Sequence, residues 1–189
     1  MLGLEGRVRD VLARHMPAKS FARFDAEGVI TSLARAPVKA GAYFTKRRRV
    51  TIRQMTVEVE AMPFTSFVKS GDDEVDDVLA RACGDRWRLP TPDEWEYLYA
   101  AGARTLFPWG NEWPSRKLDF TNAFGLRFTF NTECTSKRRV LGGGDPDGWS
   151  LNGFDGNIVY ASSYFMHESH VAHFEWEAYE AAGIRRIRR

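Results

Sequence analysis

The clearest pattern of apolar and polar positions in the chain predicts a short helix that begins at Pro92. Thr91 suits the N-cap, Pro92 suits the first helical position because its missing N–H costs nothing there, and Glu94 stands where it completes a capping box. Gly102 is a natural stop. The apolar side chains after the cap recur at helical spacing: Trp95, Leu98 and Tyr99. We therefore expect this helix at the centre of the core.

Other patterns predict elements on both sides of this helix. Residues 4–15 carry apolar positions at helical spacing and are followed by Pro17, which predicts an N-terminal amphipathic helix. Residues 111–160 are short segments broken by glycine, proline and aspartate, which is typical of irregular loops. Four more elements are predicted: a strand over residues 50–53 whose alternation resumes in the other phase over residues 55–59 after a bulge at residue 54, a short helical turn over residues 64–68, a second amphipathic helix over residues 75–83 and a last strand over residues 183–187.

Composition and charge place the chain among ordinary globular proteins. Its 189 residues suit one domain, and its net charge of +2 is too small to indicate nucleic acid as a partner. No apolar run approaches the roughly 20 residues of a membrane span, and residues 1–16 contain no uninterrupted signal-peptide core. Two cysteines, Cys83 and Cys134, make no disulfide framework. We expect a cytoplasmic protein with reduced thiols and without a membrane span.

Five motifs carry a family resemblance, and they occur in this order: R-L-P-T-P-D-E-W-E-Y at residues 88–97, F-P-W-G-N at 107–111, N-A-F-G-L at 122–126, R-V-L-G-G-G at 139–144 and G-I-R-R-I-R at 183–188. Together they resemble the formylglycine-generating enzyme (sulfatase-modifying factor) family over residues 37–189. Residues 1–36 remain as an N-terminal helix and connecting segment. The resemblance implies an α+β, C-type-lectin-like fold with twisted antiparallel strands, two main helices and extensive irregular loops.

The resemblance also implies a choice of activities, because the family includes copper-dependent oxidases, iron-dependent sulfoxide synthases and binding modules. The oxidases convert a sulfatase cysteine to formylglycine and hold copper(I) through two thiolates in their C-terminal part, a donor set that suits a soft ion. This sequence has no cysteine after Cys134. We therefore expect a divergent member without the catalytic cysteine pair and without copper-dependent oxidase activity, and other enzyme activity stays open.

Two groups of residues are candidate metal ligands, and no cofactor is assigned. Three histidines in one short segment offer imidazole donors for zinc, nickel or iron, although their spacing matches no known motif: His167, His170 and His173. The resemblance implies calcium as another candidate, with an amide at Asn131 and a carboxylate at Glu133, although a calcium ion takes about six or more oxygens. The alternatives are a polar surface segment and a hydrogen-bonded turn.

The favoured interpretation is a non-catalytic binding module whose loop-rich C-terminal half contacts a protein, peptide or glycan. Aromatic residues among small polar ones are typical of binding surfaces, although about half of these rings are expected to fill the core. The candidate ligand contacts are Trp149, Phe154, Tyr160, Tyr164 and Trp176. One alternative is a metal-dependent oxidoreductase with its site at residues 167–173. Another is a structural subunit that docks through helix 4–15.

Overall fold

The structure, a computed structural model, describes residues 48–103, 105, 107–110, 119–130, 132–136, 139–142 (backbone only) and 179–189. Two α-helices are described, α1 (Val75–Cys83) and α2 (Pro92–Ala100), and a 3₁₀ turn spans Phe64–Phe67. The described strands are β1 (Thr56–Val57), β2 (Met62–Pro63), β3 (Phe120–Thr121), β4 (Arg127–Phe128), β5 (Thr132–Thr135), β6 (Arg139–Gly142), β7 (Gly183–Ile184) and β8 (Ile187–Arg188).

The strands form small sheets built from distant parts of the chain. β1 pairs with β8, β3 pairs with β4, and a four-stranded sheet has the order β2-β7-β5-β6. These pairings are antiparallel, except that β5 runs parallel to β7. Helices and sheets of this kind confirm the predicted α+β class, whereas the C-type-lectin-like arrangement stays a prediction. Among the described residues, no helix combines the length and apolarity needed to cross a bilayer.

Helix α2 forms as its sequence predicts. Thr91 Oγ1 accepts a hydrogen bond from the Glu94 N–H at 3.2 Å, and Glu94 Oε2 accepts one from the Thr91 N–H at 2.9 Å, so the capping box is confirmed. The helix ends at Ala100, slightly before the predicted stop. Ala101 adopts the left-handed conformation with φ of 47°, and Gly102 continues it with φ of 77°.

Aromatic rings connect α2 to the β3–β4 hairpin. Trp95 is 2% exposed and stacks on Tyr99 with ring centroids 4.7 Å apart. Tyr99 meets Phe128 edge-on at 5.0 Å, and Phe128 stacks on Phe120 at 5.2 Å. Ring pairs of this geometry contribute about 0.5–1.5 kcal/mol each beyond the area that they bury. The expectation that α2 lies in the core is therefore confirmed.

A second part of the core surrounds α1. The apolar face of this helix packs against the 3₁₀ turn and the strands β5 and β7, which confirms the predicted amphipathic helix over residues 75–83 and the helical turn at its side. Cys83 packs against this cluster from its edge. The buried members of the cluster are Phe64, Val78, Leu79, Ala82, Leu89, Cys134, Tyr179, Ala182 and Ile184.

A buried ion pair joins the sheets. Arg185 is 0% exposed, and its guanidinium donates to both carboxylate oxygens of Glu133, at 2.7 and 3.1 Å. Its other N–H groups donate to the backbone carbonyls of Glu58, Val59 and Arg127, at 2.8, 2.7 and 2.7 Å. Five donors thus meet five acceptors, which a buried guanidinium requires.

Two strand predictions are confirmed only in part. Residues 50–53 belong to no strand, whereas the alternation that resumes after residue 54 contains β1, which pairs with β8 from Thr56 onward. The single strand predicted over residues 183–187 is two strands, because β7 and β8 pair with different sheets. The predicted helix at residues 4–15 lies outside the described residues.

Candidate functional site

A groove opens on the surface beside α2. Its volume is about 480 Å³. One wall is formed by the segment from Ile52 to Val59, and the other is formed by Tyr97 on α2 and Phe124 on the loop that follows β3. Leu98 and Leu126, both buried, complete the lining. This cavity is called the groove from here on.

Exposed apolar side chains converge on the groove. Four large hydrophobic side chains are exposed in the part of the chain that the structure describes, and three of them line the groove: Val59 (60% exposed), Tyr97 (36%) and Phe124 (44%). The rings of Tyr97 and Phe124 are 5.2 Å apart and tilted by 50°. Single exposed apolar residues are ordinary, but a cluster in a concave surface is typical of binding sites.

The first wall of the groove is held at both of its ends. Shortly before the wall begins, Arg48 donates to Asp93 Oδ1 at 2.5 Å and to Glu96 Oε2 at 2.7 Å, which fixes the preceding chain on α2. At the other end, β1 pairs with β8, and the Val59 carbonyl accepts hydrogen bonds from Arg185 and from the Arg127 N–H. The segment between these ends is therefore positioned by α2 and the buried ion pair.

The second wall depends on Asn122. Its Nδ2 donates to the Leu98 carbonyl at 2.6 Å, at the end of α2, where helix carbonyls lack intrahelical partners. Its Oδ1 accepts from the N–H groups of Phe124 and Leu126, at 3.0 and 3.1 Å. Gly125 takes φ of 76°, a conformation that glycine adopts without strain. The N-A-F-G-L motif is therefore a loop built to place Phe124 beside Tyr97.

The first wall also offers polar groups. Residues 51–55 belong to no strand, and among the described residues no hydrogen bond reaches their backbone N–H and C=O groups. Arg53 and Gln54 are exposed and line the groove. The groove thus combines an apolar surface with backbone donors and acceptors and one cationic side chain, a combination that suits recognition of a ligand.

One thiol lies in the core and the other lies at its edge. Cys134 is 0% exposed, and burial raises the pKa of its thiol well above the ordinary range. Burial also raises the pKa of the half-buried Cys83 thiol, with a smaller opposing effect from the nearby Arg186. A protonated thiol is a poor nucleophile and a poor metal ligand. Cys83 therefore behaves as an apolar residue at the edge of the core.

The carboxylate of Glu133 is engaged by protein groups. Both of its oxygens accept from Arg185, and Oε2 also accepts from Trp95 Nε1 at 3.1 Å. Among the described residues, no group of three or more histidine, cysteine or acidic side chains is arranged to hold a metal ion. Asn131 lies outside the described residues, so the calcium site stays a prediction.

The remaining predicted site residues also lie outside the described residues. They are the ligand-contact candidates Trp149, Phe154, Tyr160, Tyr164 and Trp176, and the metal-ligand candidates His167, His170 and His173. Their roles stay predictions.

The residues of the groove were missed in the sequence, although Tyr97 carries a signal. Trp95, Leu98 and Tyr99 form the apolar face of α2, so an aromatic residue at position 97 stands on the opposite, polar side. Val59 and Arg53 carry no such signal, because their neighbours in space come from distant parts of the chain.

The helices and small sheets define an α+β domain, and a family comparison assigns it. Residues 17–181 match the family described as the Sulfatase-modifying factor enzyme 1-like domain. The chain belongs to this family, as the motif at residues 88–97 predicts. A search of curated proteins finds no match. The match begins within residues 1–36, and the domain boundary placed after residue 36 stays a prediction.

Proposed function

We propose that this chain is a non-catalytic member of its family that works as a binding module, with the groove as its ligand site. The observation that carries the proposal is the convergence of Val59, Tyr97 and Phe124 on one concave surface. A folded protein gains nothing in stability from leaving these side chains in water, whereas a ligand that covers them gains about 25 cal/mol per Å² of apolar surface removed from water.

The chemistry of the cysteines supports the non-catalytic part of the proposal. The sequence has no cysteine after Cys134, which is buried in the core, and Cys83 lies half-buried at the edge of the core. A copper(I) site of the kind found in related oxidases needs two accessible thiolates. A cytoplasmic location is proposed as well, since the two cysteines are free and form no disulfide with each other.

The aromatic residues of the C-terminal half remain proposed as additional ligand contacts. They are Trp149, Phe154, Tyr160, Tyr164 and Trp176. Protein, peptide and glycan ligands are all compatible with an aromatic surface of this composition.

A screen of small-molecule fragments, followed by protein NMR, tests the groove as a ligand site. We expect the amide signals of Val59, Tyr97 and Phe124 and the methyl signals of Val59 to shift on addition of apolar fragments, because a concave apolar surface binds them best. Met62 provides the control, since it is 39% exposed but does not line the groove. Fragments that shift Met62 as strongly as Val59, or that shift neither residue, would contradict the proposal.

Metal analysis of the purified full chain tests the non-catalytic part. We expect no stoichiometric iron or copper. One equivalent of either metal that is lost in the His170→Ala variant would instead establish the histidine segment at residues 167–173 as a metal site, and the binding-module proposal would then be wrong.

A further inference from the structure

The charged groups around the groove leave one positive charge without a partner. Arg53 is exposed and lines the groove, and it forms no ion pair in the part of the chain that the structure describes. The carboxylates on α2 and along the first wall are each bound by another arginine. These pairs are Glu58 with Arg186, Asp93 and Glu96 with Arg48, Glu94 with Arg88, and Glu60, just after the wall, with Arg127. The groove therefore presents a cation that the described carboxylates nearby do not neutralise.

The rest of the groove suits the body of a small apolar molecule. Apart from Arg53 and Gln54, the side chains that line it are apolar or aromatic. A cavity of about 480 Å³ has the size of pockets that hold small organic molecules, in which a few polar groups orient an apolar ligand. The rings of Tyr97 and Phe124 give such a ligand an aromatic surface to pack on.

We propose that the groove binds a small apolar acid, whose hydrocarbon or aromatic body covers Val59, Tyr97 and Phe124 while its carboxylate pairs with the Arg53 guanidinium. The proposal rests on the proposed function and names the chemical class of its ligand. A guanidinium matches a carboxylate in geometry, because two of its N–H groups can meet both oxygens. A phosphate monoester carries about two negative charges at neutral pH, which a single arginine does not balance.

Two probes of the same shape test the proposal on the full chain. Biphenylcarboxylic acid is charged at neutral pH, because carboxyl groups ionise at about pH 4, whereas its primary amide is neutral. Protein NMR titrations that follow the signals of Val59 and Phe124 give the dissociation constant of each probe. We expect the acid to bind about threefold or more tightly than the amide at low salt, and we expect added salt to reduce this ratio, because the ion pair is partly exposed.

Substitution of Arg53 tests whether this side chain causes the preference for the acid. Arg53→Gln should bring the ratio of the two dissociation constants close to one, and Arg53→Glu should reverse it in favour of the amide. Arg49→Gln is the matched control and should keep the wild-type ratio, because Arg49 is exposed but does not line the groove. Both arginines are exposed, so neither substitution should disturb the fold. A preference for the acid that survives in Arg53→Gln, or that falls equally in Arg53→Gln and Arg49→Gln, overturns the proposal.

The two proposals fail separately. If apolar molecules bind in the groove but acids bind no more tightly than the matching amides, the acid is wrong and the groove remains a ligand site. If neither the two probes nor the apolar fragments bind there, both proposals are wrong. A chain that dimerises through the groove and becomes monomeric as Phe124→Ser also overturns the acid, because a second copy then occupies the site.

Discussion

Glu94 is the residue on which the interactions at the start of α2 converge. Its carboxylate accepts a hydrogen bond from the Thr91 N–H at 2.9 Å. It also accepts one from each of the two terminal nitrogens of Arg88, both at 2.7 Å. The hydrogen bonds from Arg88 are the largest cause that lowers the pKa of Glu94 from its ordinary value of 4.5 to about 2. A single side chain thus caps the helix and anchors the segment before it, in which Arg88 exchanges backbone hydrogen bonds with Ile187.

The Glu94→Gln variant should change how stability depends on pH. Between about pH 4.5 and pH 2 the unfolded chain binds the proton that the folded chain excludes, so the contribution of ionised Glu94 is complete above about pH 5 and is lost as the pH falls toward 2. We expect the free energy of unfolding of the wild type to exceed that of Glu94→Gln by about 2 kcal/mol at neutral pH. The difference is no larger because Arg88 is partly solvated, which weakens the ion pair. Urea unfolding across this pH range measures the difference, and a constant gap would contradict the assignment.

The buried pair of Glu133 and Arg185 should dominate the stability of the strands around it. Arg185→Met leaves the Glu133 carboxylate buried without its cation, which costs about 3–5 kcal/mol. The control is Glu60→Gln, which removes an exposed pair with Arg127 at 3.6 Å and should cost less than about 1 kcal/mol. Both free energies of unfolding come from urea titrations. Equal costs for the two variants would refute the structural role of Arg185.

At the scale of elements, β7 is packed too closely for any side chain at its first residue. A Cβ atom on Gly183 would lie 2.7 Å from a ring atom of Phe130 and 3.0 Å from Ala61 Cβ. Gly183→Ala should therefore destabilise the chain by about 1–3 kcal/mol. Gly71→Ala is the matched control, because a Cβ there meets nothing within 4 Å. Thermal unfolding of the two variants measures the difference, and similar melting temperatures would be inconsistent with the packing around β7.

The elements also show why sequence reasoning predicted the helices and missed part of the sheets. α2 is specified locally, since Thr91, Pro92 and Glu94 define its start within one turn. The strands are mostly two residues long, and their partners are far away in sequence, as Thr56 and Arg188 are. Alternation at residues 50–53 therefore predicted a strand for which the described part of the chain holds no partner.

The candidate site was harder to predict than the fold for the same reason. The groove is assembled from the segment before β1, from α2 and from the loop after β3, and no local pattern links them. In the sequence, the motif at residues 122–126 contributed only to the family resemblance. Its physical role appears only in the structure, where Asn122 joins the end of α2 to the backbone around Phe124.

At the scale of the whole molecule, buried side chains hold the backbone and the helix from which the groove is formed. Arg185 holds the Val59 and Arg127 carbonyls from inside, while Trp95 and Tyr99 fix the helix that presents Tyr97 outside. The wall of the groove that carries Tyr97 and Phe124 is therefore built on a packed helix and a hydrogen-bonded loop, which lowers the entropy cost of binding a ligand.

The most direct test of the groove as the ligand site is the dissociation constant of the small-molecule fragment that binds most tightly, measured for two matched variants. Val59→Lys places an ammonium group in the wall of the groove, whereas Met62→Lys makes the same change at an exposed apolar residue outside it. We predict that Val59→Lys weakens binding by about tenfold or more and that Met62→Lys changes it by less than about twofold. Equal effects of the two substitutions would contradict the groove as the ligand site of this protein.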